Sequence, residues 1–170
     1  MTKIRFIPIF EDKKFINACS EYDLIWNSDG VSILGTFKEI VGLELNEDRI
    51  AALVYEGVSF SGRDQYDAMK LRASYDKDVK KGTLIHELGH RLTFNIKTVN
   101  SSEDEHKFLN LFLYDVWEKL YGKDFATKMV EVESNRTDIY KRAWEYSLNI
   151  DFAKRQDQLH GILASLKNGS

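Results

Sequence analysis

Strand-like patterns of hydrophobic and polar residues are confined to the first half of the chain. "KIRFIPIF" alternates Ile4 and Phe6 with basic residues, and its proline suits an edge strand, because proline has no N–H to donate to a neighbour. "RIAALVYEG" is a compact apolar run closed by a glycine, and "YDAMKLRAS" alternates Met69 and Leu71 with basic residues. These three segments predict strands. The intervening "GVSFSGRD" predicts a turn or a mobile loop.

Helical spacing dominates elsewhere. It predicts one helix from Lys13 to Trp26 and a second, capped by Ser28 or Asp29, that runs to Val41. From Asp78 onward the pattern is helical, with breaks near residues 100–102, 122, 135 and 149. The pattern therefore predicts an α+β fold, a small mixed sheet packed on a mainly helical body. We expect a single domain over residues 1–170, with a mixed α/β part (1–76) and a mainly helical part (77–170).

Composition narrows the classes of function. The chain is 43% hydrophobic and 30% charged and carries a formal charge of −3, so it offers no general attraction to nucleic acid, which is not expected as a partner. No apolar run approaches the roughly 18 residues that a membrane span needs, so we expect no membrane partner and a cytoplasmic protein. The single cysteine, Cys19, excludes a zinc site built on four thiolates.

The motif that carries chemistry is "GTLIHELGHRLTF". Residues four apart lie on the same face of a helix, so His86 and His90 can direct ring nitrogens to a common metal ion. Glu87, rotated by about 100°, points beside the metal, where it can serve as a general base for a water molecule. The alternative is an amphipathic surface helix whose two histidines face water.

A catalytic zinc site with two histidines needs a third protein ligand from elsewhere. The segment "SSEDEHKF" offers His106 and, as the alternative, Glu105. Ser102 and Glu105 have the spacing of a capping box, which would engage Glu105 at the helix start, so the sequence favours His106.

Two further polar residues of the helical part are predicted to lie outside the metal site. Asp115 lies among apolar residues and is predicted to be a buried acid paired with an arginine, Arg136 or Arg142, or with a helix N-terminus. A supporting position behind His86 or His90 is the alternative. His160 is predicted to lie on the surface rather than to act as a fourth ligand. Trp117 and Trp144 are expected in the core.

Through "HELGH" at positions 86–90 the chain resembles the zincin metallopeptidases. The spacing to His106 is similar to the SprT-like branch, whereas the small gluzincins, of the minigluzincin and ImmA/IrrE types, use a glutamate that would correspond to Glu105. The resemblance implies Zn²⁺, an active-site helix followed by a ligand-bearing helix, and hydrolysis of peptide bonds by zinc-activated water with Glu87 as general base. It also implies that an edge strand, here "YDAMKLRAS", pairs with a peptide or protein substrate. Tyr75 is a candidate donor to the oxyanion.

A second function remains open on the sequence. The chain could retain the metal site and act by binding, as a non-catalytic regulatory or interaction protein. Neither the oligomeric state nor the substrate is indicated by the sequence.

Overall fold

A computed structural model describes residues 2–94, 96 and 101–167 of the chain. In this part of the chain three strands are followed or separated by six helices, which confirms the predicted α+β class with a mainly helical content. The elements are β1 (Lys3–Pro8), α1 (Lys13–Val41), β2 (Arg49–Tyr55), β3 (Met69–Arg72), α2 (Lys77–Thr93), α3 (Ser102–Tyr121), α4 (Lys123–Ser134), α5 (Asp138–Leu148) and α6 (Phe152–Lys167).

The chain divides into two compact units. The first comprises residues 1–35 and 44–94, and the second comprises residues 36–43 and 95–170. Helix α2 belongs to the same unit as the sheet.

The sheet of the first unit has the order β1-β2-β3, and both strand pairs are parallel. The prediction of a mixed sheet is therefore wrong for the three strands. Parallel neighbours need a crossover connection, and α1 supplies it between β1 and β2. β1 is an edge strand, as the proline at its end predicts.

Helix α1 is one continuous helix from Lys13 to Val41, so the predicted break at Ser28 or Asp29 is wrong. The buried positions Tyr22, Trp26 and Ile33 keep one helical phase across that point. Asp29 pairs with Lys81, at 3.1 Å, instead of capping a new helix. The polar pair has the pattern of a cap, because local sequence does not show that the apolar stripe continues beyond it.

The second unit is built on α3, α4, α5 and α6. Trp117 and Trp144 are its largest buried side chains, as predicted, with ring centroids 5.5 Å apart. Asp115 is buried and paired with an arginine, also as predicted, but the partner is Arg155 rather than Arg136 or Arg142. His160 is exposed. The C-cap of α3 is Gly122, whose φ of 87° lies in the left-handed region that favours glycine.

Among the helices that the structure describes, none has the length and hydrophobicity needed to cross a bilayer.

Two glycines inside α1 provide a matched test of packing. A Cβ on Gly30 would lie 3.0 Å from the buried Trp26 ring, whereas a Cβ on Gly35 would meet nothing within 4 Å. We expect Gly35→Ala to raise the free energy of unfolding by about 0.5–1 kcal/mol, because alanine restricts the unfolded chain and favours the helix. Gly30→Ala should lower it, because the added methyl group presses on the ring of the buried Trp26. Urea denaturation of both variants measures the difference, and equal stabilisation would contradict this packing.

Candidate metal centre

Helix α2 is buried along most of its length. Its apolar positions Leu84, Ile85 and Leu88 are fully buried, and they carry the intervening polar residues inward with them. His86 and His90 are exposed by only 1% and 6%. As the i, i+4 spacing predicts, their Nε2 atoms lie 3.1 Å apart, with ring centroids at 4.8 Å.

His106 lies on the first turns of α3 and is also buried. Its Nδ1 lies 2.7 Å from the carbonyl oxygen of Ser102, one helical turn earlier. Since a carbonyl only accepts, Nδ1 must carry the proton, and the lone pair of a neutral ring is then on Nε2. The Tyr140 ring packs edge-on against the imidazole, with centroids 4.3 Å apart. The ring is thus held in one tautomer by its own helix.

The three histidines lie close together and could hold a metal ion. One ring nitrogen from each of His86, His90 and His106 lies within 4.8 Å of the other two. Two nitrogens bound to one tetrahedral zinc ion at about 2.0–2.1 Å are separated by about 3.3 Å, close to the separation of the α2 pair. A set of three imidazoles fits zinc and also other divalent transition metals, so the geometry does not identify the ion.

The start of α3 differs from the predicted capping box. The N-cap is Ser101, one residue earlier, and its hydroxyl accepts the amide of Asp104 at 3.1 Å. Ser102 is therefore already helical, and Glu105 is not the capping-box partner that the sequence suggested. Glu105 is half-buried and does not belong to the histidine cluster found among the described residues.

An ion-pair network connects the start of α3 to α5. Glu103 accepts from the guanidinium of Arg142 at 2.7 and 2.9 Å and lies 2.8 Å from the ammonium of Lys107. Hydrogen bonds from Arg142, and then from Lys107, lower the pKa of Glu103 to about 2. The carboxylate therefore stays charged through the neutral range and holds this turn, which precedes His106, against α5.

Glu87 is buried on the same helix, exposed by only 4%. Tyr55, the last residue of β2, lies close enough for the charge of Glu87 to affect its phenol. Burial, followed by the charge of Glu87, raises the pKa of the Tyr55 phenol. The phenol is therefore protonated at neutral pH. The sequence did not single out Tyr55, although its position at the end of a buried strand was a usable signal. Tyr75, the predicted oxyanion donor, is half-buried, with the Arg72 guanidinium 5.5 Å from its ring centroid.

The outward edge of β3 is occupied by the chain itself. Lys70 exchanges both backbone hydrogen bonds with Phe60, at 2.7 and 2.9 Å, in an antiparallel bridge. The amide of Arg72 donates to the hydroxyl of Ser59, and its carbonyl accepts from Tyr22. The prediction that β3 is an available edge is therefore corrected. Residues 58–61, which the sequence assigned to a loop, lie along the outward edge of β3, and we call them the outer segment.

Comparison of the chain with protein-family models, with curated proteins and with solved structures found no match. The resemblance to zincins therefore rests on the motif and its spacing.

The third ligand can be tested with two neighbouring substitutions. Removal of a residue that only supports a metal ligand typically lowers metal affinity by roughly 10- to 100-fold. We expect His106→Ala, which removes a ligand itself, to lower it by more. Glu105→Ala should retain the metal, because Glu105 is outside the cluster. Metal analysis after gel filtration, with competition against a chelator, measures both. Loss of metal from the Glu105 variant alone would identify the glutamate as the ligand.

Proposed function

We propose that this chain is a zinc-dependent metallopeptidase that hydrolyses peptide bonds. The observation that carries the proposal is the clustering of His86, His90 and His106, with Glu87 on the same buried helix as two of them. Three protein ligands with one remaining position are characteristic of catalytic zinc, whereas structural zinc usually has four. The chain's only cysteine is elsewhere, on α1.

The metal ion, His106 and Glu87 have separate roles in the proposed reaction. Bound zinc supplies a Lewis acid that polarises the peptide carbonyl and lowers the pKa of water. His106 keeps its Nε2 directed to the cluster because its Nδ1 proton is engaged by the Ser102 carbonyl. Glu87 accepts a proton from the attacking water and passes it to the leaving amine.

The proposed peptide substrate would bind beside the sheet. The outward groups of β3 are already paired, and the Ser61 carbonyl on the far side of the outer segment accepts from Arg91, so an extended peptide would have to displace one of these contacts to pair with the sheet. Val58 and Phe60 are 77% and 42% exposed there and offer apolar contact. Main-chain pairing is largely independent of side chains, so we propose an unfolded or extended polypeptide as the substrate.

A specific observation favours a second candidate, a metal-binding protein that does not catalyse hydrolysis. His86, His90 and His106 are exposed by only 1%, 6% and 7%, whereas a catalytic metal must be reached by water and substrate. In this second candidate the metal stabilises the fold, and the chain acts through its surface.

Substitution of the proposed base separates the two candidates. We expect Glu87→Gln to lower kcat for casein hydrolysis by about 10²- to 10⁴-fold, because the amide cannot accept the proton. The variant should retain stoichiometric zinc, since Glu87 is not one of the clustered ligands. Glu118→Gln, an exposed position on α3, is the matched control and should be fully active.

Zinc-loaded wild-type protein that leaves casein and other unfolded proteins intact would exclude the peptidase and leave the binding protein. Equal activity of the Glu87 variant and wild type would instead remove Glu87 as the base. Purified protein without a stoichiometric metal ion would overturn both candidates.

A further inference from the structure

We propose that the open face of the three-stranded sheet docks on an anionic phospholipid bilayer. The open face is the side of the sheet whose strand side chains point away from α1. It has no part in the proposed hydrolysis, since the histidine cluster lies on α2 and α3. Docking of this kind needs no membrane span, so it departs from the expectation of no membrane partner, which rested on spans alone.

The two faces of the sheet differ because successive side chains of a strand point to opposite sides. Ile4, Phe6 and Leu71 are among the buried positions of one face, where the Phe6 ring stacks on Tyr22 of α1 with centroids 5.5 Å apart. The alternate positions of all three strands form the other face, and none of them is buried. Parallel sheets are usually covered on both faces, so the uncovered face of this one is available to a partner.

The open face is strongly basic. Its strand positions include no acidic residue and five basic ones, Lys3, Arg5, Arg49, Lys70 and Arg72. Arg72 is neutralised by Glu56, whose carboxylate lies 2.7 Å from its Nε. The other four are exposed and form no ion pair within the part of the chain that the structure describes. Lys3 lies directly opposite Arg49 in the strand register, and like charges so placed repel unless an anion joins them.

A row of mainly apolar side chains crosses the same face nearer the carboxyl ends of the strands. The register aligns Ile7 with Leu53, Leu53 with Lys70, and Lys70 with Phe60 of the outer segment. Ile9 lies two residues after Ile7, and its amide still bonds to the neighbouring strand, so the alternation places it on this face as well. Ile9 and Phe60 are exposed. The face therefore combines a basic band with an apolar band.

The apolar band contains a cavity of about 340 Å³. Its apolar walls are Leu53, Phe60 and Ala68, and its charged walls are Arg63, Lys70 and Asp67. The Asp67 carboxylate accepts the backbone amide of Arg63 at 3.2 Å. Two cations beside apolar walls suit a phospholipid, whose phosphate group is joined to acyl chains.

This combination fits an anionic bilayer better than it fits a nucleic acid. Both partners would neutralise the cations, but surfaces that bind single-stranded nucleic acid gain from exposed aromatic rings on which bases stack. The aromatic residue at the strand positions of the open face, Tyr55, is half-buried, and its hydroxyl donates to the carbonyl of Val58. Aliphatic side chains such as Ile9 gain little from a polyanion, whereas at a bilayer they enter the headgroup region and add to the electrostatic attraction.

The test measures co-sedimentation of the full-length protein with vesicles. We expect binding to vesicles of phosphatidylcholine and phosphatidylserine, mixed at about two to one, and none to phosphatidylcholine alone, with an affinity that falls as salt is added. A basic residue beside an anionic bilayer contributes about five-fold in affinity, so Lys3→Gln, Arg5→Gln and Arg49→Gln together should weaken binding about 100-fold. Ile9→Ser should weaken it about five-fold at every salt concentration, because salt does not screen an apolar contact.

The matched control replaces three exposed lysines of the helical unit, Lys123→Gln, Lys141→Gln and Lys154→Gln, and changes the net charge equally. It should bind the vesicles as wild type does. Zinc content and stability to urea should be the same in all these variants, because the substituted side chains are exposed and lie outside the histidine cluster.

Equal weakening by the two triple variants would overturn the proposal, since the attraction would then come from net charge rather than from the open face. Failure of wild type to bind the anionic vesicles would overturn it too. A single-stranded oligothymidylate that binds through Lys3, Arg5 and Arg49 while the vesicles do not would replace the bilayer with nucleic acid. None of these outcomes depends on whether the chain cleaves casein.

Discussion

Burial of polar side chains along α2 is the constraint on which the rest of the site depends. From Leu84 to Arg91 every residue of this helix is buried, including two histidines, a glutamate and an arginine. A polar group removed from water costs several kcal/mol unless it finds a partner, so each of these side chains needs one within the protein or from a bound ion. Arg91 satisfies this requirement with five protein acceptors. The histidines satisfy it as a cluster whose nitrogens suit a metal ion.

The same constraint explains how the helix acts as a framework. Near its start, Lys80 is buried and paired with Glu21 on α1, with its ammonium 5.7 Å from the centroid of the Tyr22 ring. At its end, Arg91 binds Glu47 and the loop of residues 61–67. A helix held at both ends cannot rotate or slide freely, so His86 and His90 keep the direction in which they point. Structural ion pairs on α2 therefore also preserve the geometry of the candidate metal centre.

His106 is oriented by interactions of a different kind. A hydrogen bond within its own helix determines the tautomer, Tyr140 packs against the ring, and the ion pairs of Glu103 hold the preceding turn. None of these partners is a metal ligand. Their shared effect is to reduce the conformational freedom that His106 would lose on binding metal, so that less of the binding free energy is spent on ordering the ligand.

The sequence by itself determined what depends on local spacing. It identified the α+β class, the histidine pair on one helical face, the breaks near residues 122, 135 and 149 and the burial of Asp115, whereas the predicted break near residues 100–102 lies partly outside the described residues. It failed where distant residues decide. The unbroken α1 depends on packing along a continuous stripe, the parallel sheet on a crossover, and the outer segment on pairing with β3. Likewise Arg155, rather than Arg136 or Arg142, reaches Asp115. Periodicity is a property of neighbours along the chain, whereas partners of buried charges and of strand edges are chosen by which segments meet in space, and only the tertiary structure decides that.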